Sequence, residues 1–270
     1  MGNKAITLLY HDVISGENAD ESGFSGTNSA EYKLSCTEFE EHLQAINNSL
    51  KSKVIEATQL FDEQYEKAPV LFSFDDGGVG AFHYIAPMLE KYGWRGCFFI
   101  TTDKIGDSAF LNETQIKELY ERGHVIGSHS CSHPKNMVAL DREQIFHEWH
   151  ESKKVLSDIV ENEVSIASIP SGFYSKEIAQ EANRAGIKIL FTSEPQQRIF
   201  KMGECAIVGR FSVKRGMGAV IPGKIVSNDI SLRVSQYAYW NLKKFAKKIS
   251  GPVYPWIRSK YLSKNKSIIK

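Results

Sequence analysis

The chain has 270 residues, 42% hydrophobic and 24% charged, with 33 Lys and Arg against 32 Asp and Glu. That composition is ordinary for a globular protein of one large domain or two small ones, and no stretch approaches the 18 apolar residues of a membrane span. Four widely spaced cysteines (Cys36, Cys97, Cys131, Cys205) with no Cys-x-x-Cys pair argue against a disulfide framework and against a cysteine zinc site.

In chain order, Ala5 to Tyr10 reads as a strand. His11 to Lys33, rich in Gly, Ser, Asn and acids, reads as a long loop, and loops of that length are often functional. Ser35 or Thr37 is positioned to cap a helix carrying Phe39, Leu43, Ile46 and Leu50 at helical spacing. Val70 to Phe74 is a strand, Ala81 to Tyr92 a helix stopped by Gly93, and Gly96 to Thr101 a strand. Asn112 caps a helix to Arg122, closed by Gly123. His124 to Gly127 is a strand and Asp141 to Val160 a long helix. Ser165 to Ile169 is a strand entering Pro170-Ser171-Gly172. Ser175 caps a helix to Ala185, Ile187 to Thr192 is a strand, and Ala206 to Arg210 is a last strand before a short helix. Such alternation of strand and helix predicts a parallel α/β fold.

Two clusters carry chemistry. Asp75-Asp76 follows the apolar strand Val70–Phe74 and precedes Gly77-Gly78. His129 and His133 follow the next-but-one strand, at a spacing that on a helical turn puts both rings on one face. In parallel α/β barrels, reactive groups gather at the carboxyl ends of strands. One carboxylate and the two imidazoles make a three-ligand metal site with an open position, and the second carboxylate is left to act as a base. Cys131, two positions from each histidine, reads as a bystander. His42, His147 and His150 read as surface residues, His83 as a weak candidate for the cleft, and His124 as a histidine without a partner.

At these residues the chain resembles the polysaccharide deacetylases, the NodB-homology domain of carbohydrate esterase family 4. Ser73-Phe74-Asp75-Asp76-Gly77 resembles the family's first motif, and Ser128-His129 to His133 its second. Lys91-Tyr92-Gly93 and Gly96 to Ile100 resemble the adjoining helix end and strand, and the likeness spans roughly residues 5 to 215. It implies a distorted (β/α) barrel of about seven parallel strands. It also implies that Asp75 is the general base and that Asp76, His129 and His133 hold one divalent metal: zinc first, with iron, cobalt or manganese as alternatives.

The departures from the family pattern are informative. No histidine follows His150, so the usual late catalytic acid is missing. The exopolysaccharide branch instead opens with Tyr-His, here Tyr10-His11, which makes His11 the expected acid and Asp12 either its orienting partner or a turn residue. The third motif, Ile169-Pro170-Ser171-Gly172, lacks its arginine. The backbone N–H of Ser171 remains available for the oxyanion, and Arg210 either supports Asp75 or forms a salt bridge on the barrel rim.

Residues 231 to 270 carry ten Lys or Arg and no acid, leaving the first 230 at a net of −9. With Tyr237, Tyr239, Trp240, Phe245, Tyr254, Trp256 and Tyr261 interleaved, residues 229 to 270 read as a basic aromatic tail beyond a barrel of residues 1 to 228. The tail either meets an anionic membrane or packs on the barrel. No nucleic-acid motif accompanies the charge. Met1 to Tyr10 shows no secretory pattern, so a cytoplasmic protein, peripheral on the inner membrane face, is expected. The expected function is metal-dependent N-deacetylation of an amino sugar in a surface polysaccharide or its precursor. The rivals are a deformylase of a lipid-linked aminosugar and a catalytically silent carbohydrate-binding protein.

Overall fold

Short apolar runs become strands buried at every position: β1 (Ile6–Tyr10), β4 (Val70–Phe74) and β5 (Gly96–Ile100). Burial on both faces is the mark of a parallel sheet covered by helices. The structure, a computed structural model, describes residues 4–250 except residues 17, 63 and 173, and for residues 239 and 242–250 the backbone only. The remaining strands are β2 (Asp12–Ile14), β3 (Lys33–Ser35), β6 (Val125–Ser128), β7 (Ile166–Ser168), β8 (Ile189–Phe191), β9 (Phe200–Met202), β10 (Cys205–Val208) and β11 (Phe211–Ser212).

The main sheet has nine strands in the order β11-β1-β4-β5-β6-β7-β8-β10-β9. Every neighbouring pair is parallel except β10 with β9. The fold is therefore α/β with a curled parallel sheet. The expected seven strands are β1, β4 to β8 and β10, with the two-residue β11 and the antiparallel β9 added. The predicted last strand is broken at Gly209-Arg210. Before the break it pairs with β8, and after it with β1, at the other end of the sheet. One bent segment thus joins both ends of the sheet.

Helices begin where the sequence supplies caps. α1 (Thr27–Ala30) is a single turn. α2 (Cys36–Ser49) is capped by Ser35, whose hydroxyl accepts from Glu38 N, and it buries Phe39, Leu43 and Ile46. A π-type turn at Ala81–Ile85 runs into α3 (Ala86–Glu90). α4 (Glu113–Glu121) and α5 (Arg142–Val160) start with capping boxes, Asn112 with Gln115 and Asp141 with Gln144. α6 (Lys176–Arg184) is capped by Ser175, and α7 (Val220–Val226) follows β11.

The segment His11 to Lys33, read as a loop, is ordered: β2 and β3 pair in parallel across it. Asp12-Val13-Ile14 and Lys33-Leu34-Ser35 each carry a charge at their start and form no apolar run, so nothing in the sequence marks them as strands. The chain divides into two units, Met1–Asp229 and Ile230–Lys270. The second contains α8 (Ile230–Ser250); the tail residues 251–270, with Tyr254, Trp256 and Tyr261, lie outside the described residues. No described helix is long and apolar enough to cross a membrane.

Candidate active site

Strand register brings the site together. Tyr10 pairs with Phe74, Phe74 with Phe98, Ile100 with Ser128, and Ser128 with Ala167. The strands therefore end level, and His11, Asp75, Asp76, His129 and Ser168 share one rim.

Asp75 is buried in a ring of donors. Arg210 grips it with both terminal nitrogens, Nη1 to Oδ1 at 2.6 Å and Nη2 to Oδ2 at 2.8 Å. Ser168 Oγ donates to Oδ1 at 3.0 Å. Burial works against the ionised carboxylate, but the Arg210 charge and hydrogen bonds, with His129, outweigh it and hold the carboxyl well below its ordinary range. Arg210 is itself fully buried, and its Nε donates to Thr192 O at 3.0 Å. The structure thus places Arg210 against Asp75 inside the sheet, and not on the rim surface.

Asp76, His129 and His133 bring one ligand atom each to within 4.8 Å of the others. Nε2 of His129 and of His133 each stand 3.5 Å from Asp76 Oδ1. Hydrogen bonding fixes the His129 tautomer. Its Nδ1 lies 2.6 Å from Ser168 Oγ and 3.1 Å from Ser168 O. The Ser168 proton goes to Asp75, so both contacts require a proton on Nδ1, which leaves Nε2 with a free lone pair. That is the usual arrangement behind a metal-ligating histidine. Burial, then the neighbouring His129, lowers the His133 pKa to about 4, so its ring is neutral near pH 7, as a ligand must be. The donor set fits a divalent metal.

The two histidines do not sit on a helical turn, as their spacing suggests, but on an irregular loop. Ser130 and His133 adopt left-handed backbone (φ 66° and 54°), as does Asp76 at 80°. Among the described non-glycine residues six have positive φ, and four of them (these three and Ser171, φ 58°) lie at the site. Each such residue costs about 1–3 kcal/mol, so something must hold them. Ser130 Oγ accepts from His133 N at 3.1 Å. Glu148, on α5, accepts from Cys131 N at 2.8 Å, Ser132 N at 2.9 Å and Ser132 Oγ at 2.6 Å. Glu148 and Ser168 were not singled out from sequence; their only signal is a polar residue on an otherwise buried strand end or helix flank. Cys131 stands outside the three-ligand cluster, its thiol directed to Glu148 O.

His11 is half-buried, with its ring 4.4 Å from that of Tyr32. Burial lowers its pKa, while the charges of Asp76 and Asp75 raise it and those of Arg210 and His129 lower it. Asp12 does not hydrogen-bond to His11. Its Oδ1 accepts from Val13 N at 2.9 Å, and its carboxylate packs so close to Gly78 and Gly80 that a Cβ at either would collide with it. Burial pushes the Asp12 pKa up to about 7. Ser171 lies exposed on the turn after β7.

A sequence model of the polysaccharide deacetylase family matches residues 62–190. Over that span the chain is similar to the polysaccharide deacetylase family. YxkH of Bacillus subtilis (strain 168), named for the same family, is 27% identical over 229 residues, covering 83% of this chain and 77% of that one. A Staphylococcus aureus poly-β-1,6-N-acetyl-D-glucosamine N-deacetylase (strain MSSA476) is 21% identical over 211 residues, covering 71% and 73%. The structure of the Streptococcus pyogenes deacetylase PplD in complex with acetate superposes with a TM-score of 0.67 at 20% identity, covering 81% of this chain and 96% of that one. The deacetylase match includes Asp75, Asp76, His129, His133, Ser168 and Ser171. His11 and Arg210 lie on either side of it.

Two histidines are more buried than expected. His42 lies on the same helical stripe as Phe39 and Ile46 and faces the Tyr10 hydroxyl. His124 has partners after all: Gly96 N donates to its Nδ1 at 3.1 Å, and Nε2 meets Glu90 at 2.9 Å. His83, His147 and His150 are exposed.

Proposed function

We propose that the protein is a metal-dependent hydrolase that removes an N-acetyl group from an amino sugar of a surface polysaccharide or its precursor. The observation that carries this reading is a three-ligand cluster beside a carboxylate kept ionised by a buried arginine. Asp76, His129 and His133 would hold the ion. Zinc suits two imidazoles and a carboxylate, and iron, cobalt and manganese occupy similar sets. Such an ion, when bound, polarises the acyl carbonyl and stabilises the charge that develops on its oxygen.

The chain's own groups handle the protons. Asp75 Oδ1 already accepts two hydrogen bonds and Oδ2 one. A carboxylate oxygen accepts two, so Oδ2 keeps a position at which to take the proton of the attacking water. Arg210 lowers the basicity of Asp75, so the proton does not rest there but passes by way of His11 to the more basic departing nitrogen. In this reading His11 delivers a proton to that nitrogen, a kind of assistance worth about 10²–10⁴-fold. The Ser171 N–H supplies a donor to the oxyanion, worth about 10²–10³-fold.

The relative named for poly-β-1,6-N-acetyl-D-glucosamine supports an N-acetylated glucosamine polymer as the substrate class. The test is acetate and formate release from a panel of N-acylated glucosamine oligomers, with the protein chelated and then reloaded with zinc, cobalt or manganese. Metal-dependent acetate release is expected. Release of formate alone would shift the reading to a deformylase, and release of neither under any metal would sink it.

A further inference from the structure

The helix Ile230–Ser250 belongs to the second unit of the chain and has a character unlike the helices of the sheet. α2 carries three acids and no Lys or Arg, α5 mixes acids with cations, and both bury an apolar stripe: Phe39, Leu43 and Ile46 in one, Ile145, Trp149 and Leu156 in the other. α8 contains Arg233, Lys243, Lys244, Lys247 and Lys248 and no acid. On a helix, the positions of Val234, Ala238, Leu242, Phe245 and Ile249 fall along one stripe, and those of Arg233, Lys243, Lys244 and Lys247 fall opposite. The apolar residues at its start are open to solvent: Ile230 is 69% exposed, Val234 60% and Tyr237 53%.

We propose that this helix lies in the surface of an anionic lipid bilayer. Charge complementarity selects the occupant. Cations alone would suit any polyanion, but an apolar stripe alongside them is rewarded only where phosphate headgroups border acyl chains. A second copy of the helix would set like charges together. The 21 residues of α8 carry five cations, so the helix is too polar to span. The inference does not depend on the reaction, and its readout is partition, not turnover.

The experiment is co-sedimentation of the full chain with vesicles of phosphatidylglycerol and phosphatidylcholine, and with vesicles of phosphatidylcholine alone. Binding to the first only is expected, weakening as salt shortens the screening length below ~8 Å. A full-length variant with Lys243, Lys244, Lys247 and Lys248 all changed to Gln should bind about 10²–10³-fold more weakly. A second variant, Leu242→Gln with Phe245→Gln, keeps every charge and should also lose most binding. Unfolding midpoints matching that of the parent chain show that both variants are folded. Several results would overturn the proposal: no binding to anionic vesicles, undiminished binding by either variant, binding to DNA but not to vesicles, or a dimer in place of vesicle binding.

Discussion

One strand, β6, has a histidine at each end, and the two clusters around them share their chemistry but not their use. His124, before the strand, meets Glu90, which Arg122 also holds through two hydrogen bonds. His129, after it, meets Asp76, with Asp75 and Arg210 behind. At His124 every ring nitrogen is spoken for: Nδ1 accepts from Gly96 N, so Nε2 carries the proton and donates to Glu90. At His129 the same accounting leaves Nε2 as a lone pair facing another unsatisfied donor set. What separates a structural cluster from a candidate site is the leftover valence, not the residue types.

The comparison breaks most visibly at His129. His129→Ala should remove most bound metal and all metal-dependent turnover while the fold survives; full occupancy in elemental analysis would refute the ligand assignment. Asp75→Asn, next to it, should retain metal yet lose about 10²–10⁴ in turnover, since an amide oxygen cannot keep the water's proton. Arg210→Met leaves a buried carboxylate without its counter-charge, and chemical denaturation should show a loss of about 3–5 kcal/mol.

The structural end predicts a pH effect instead. Burial lowers the His124 pKa from 6.5 to about 4. Between those values the unfolded chain binds the proton and the folded chain does not, so stability falls as pH falls from 6.5 through 4. The full span is worth about 3 kcal/mol for this one group. His124→Gln should flatten that part of the stability–pH curve without changing metal affinity; an unchanged curve would mean the ring is not held neutral. The smallest effect belongs to Glu148→Gln, which should weaken metal binding about 10–100-fold in a calorimetric titration by loosening the His129–His133 loop. Affinity equal to that of the parent chain would show that the loop holds itself.

Residues that act in short sequence neighbourhoods were legible. Asp75-Asp76 and the His129–His133 pair announce themselves within a few positions, and apolar runs mark the longer strands. Arg210 could be named only as one of two options, because its partner is 135 residues away. Ser168 and Glu148 carry no pattern of their own; their roles exist only once β7 and α5 are placed. His42 was readable and misread, since the periodicity that marks Phe39, Leu43 and Ile46 also includes it. The β2–β3 pair was not readable, because Asp12-Val13-Ile14 and Lys33-Leu34-Ser35 sit among polar residues and form no apolar run, whereas the equally short β7 and β8 lie within longer apolar stretches.

The bend at Gly209-Arg210 has a consequence for the order of events during synthesis. Asp75 leaves the ribosome 135 residues ahead of the arginine that neutralises it. At the usual ~5–20 residues per second, that is a wait on the order of ten seconds. Through that interval the sheet has no closing segment, and burying Asp75 would strand a charge. The nascent chain therefore gains little by sealing the rim early, and arrival of the last strand locks the architecture and the chemistry in one step.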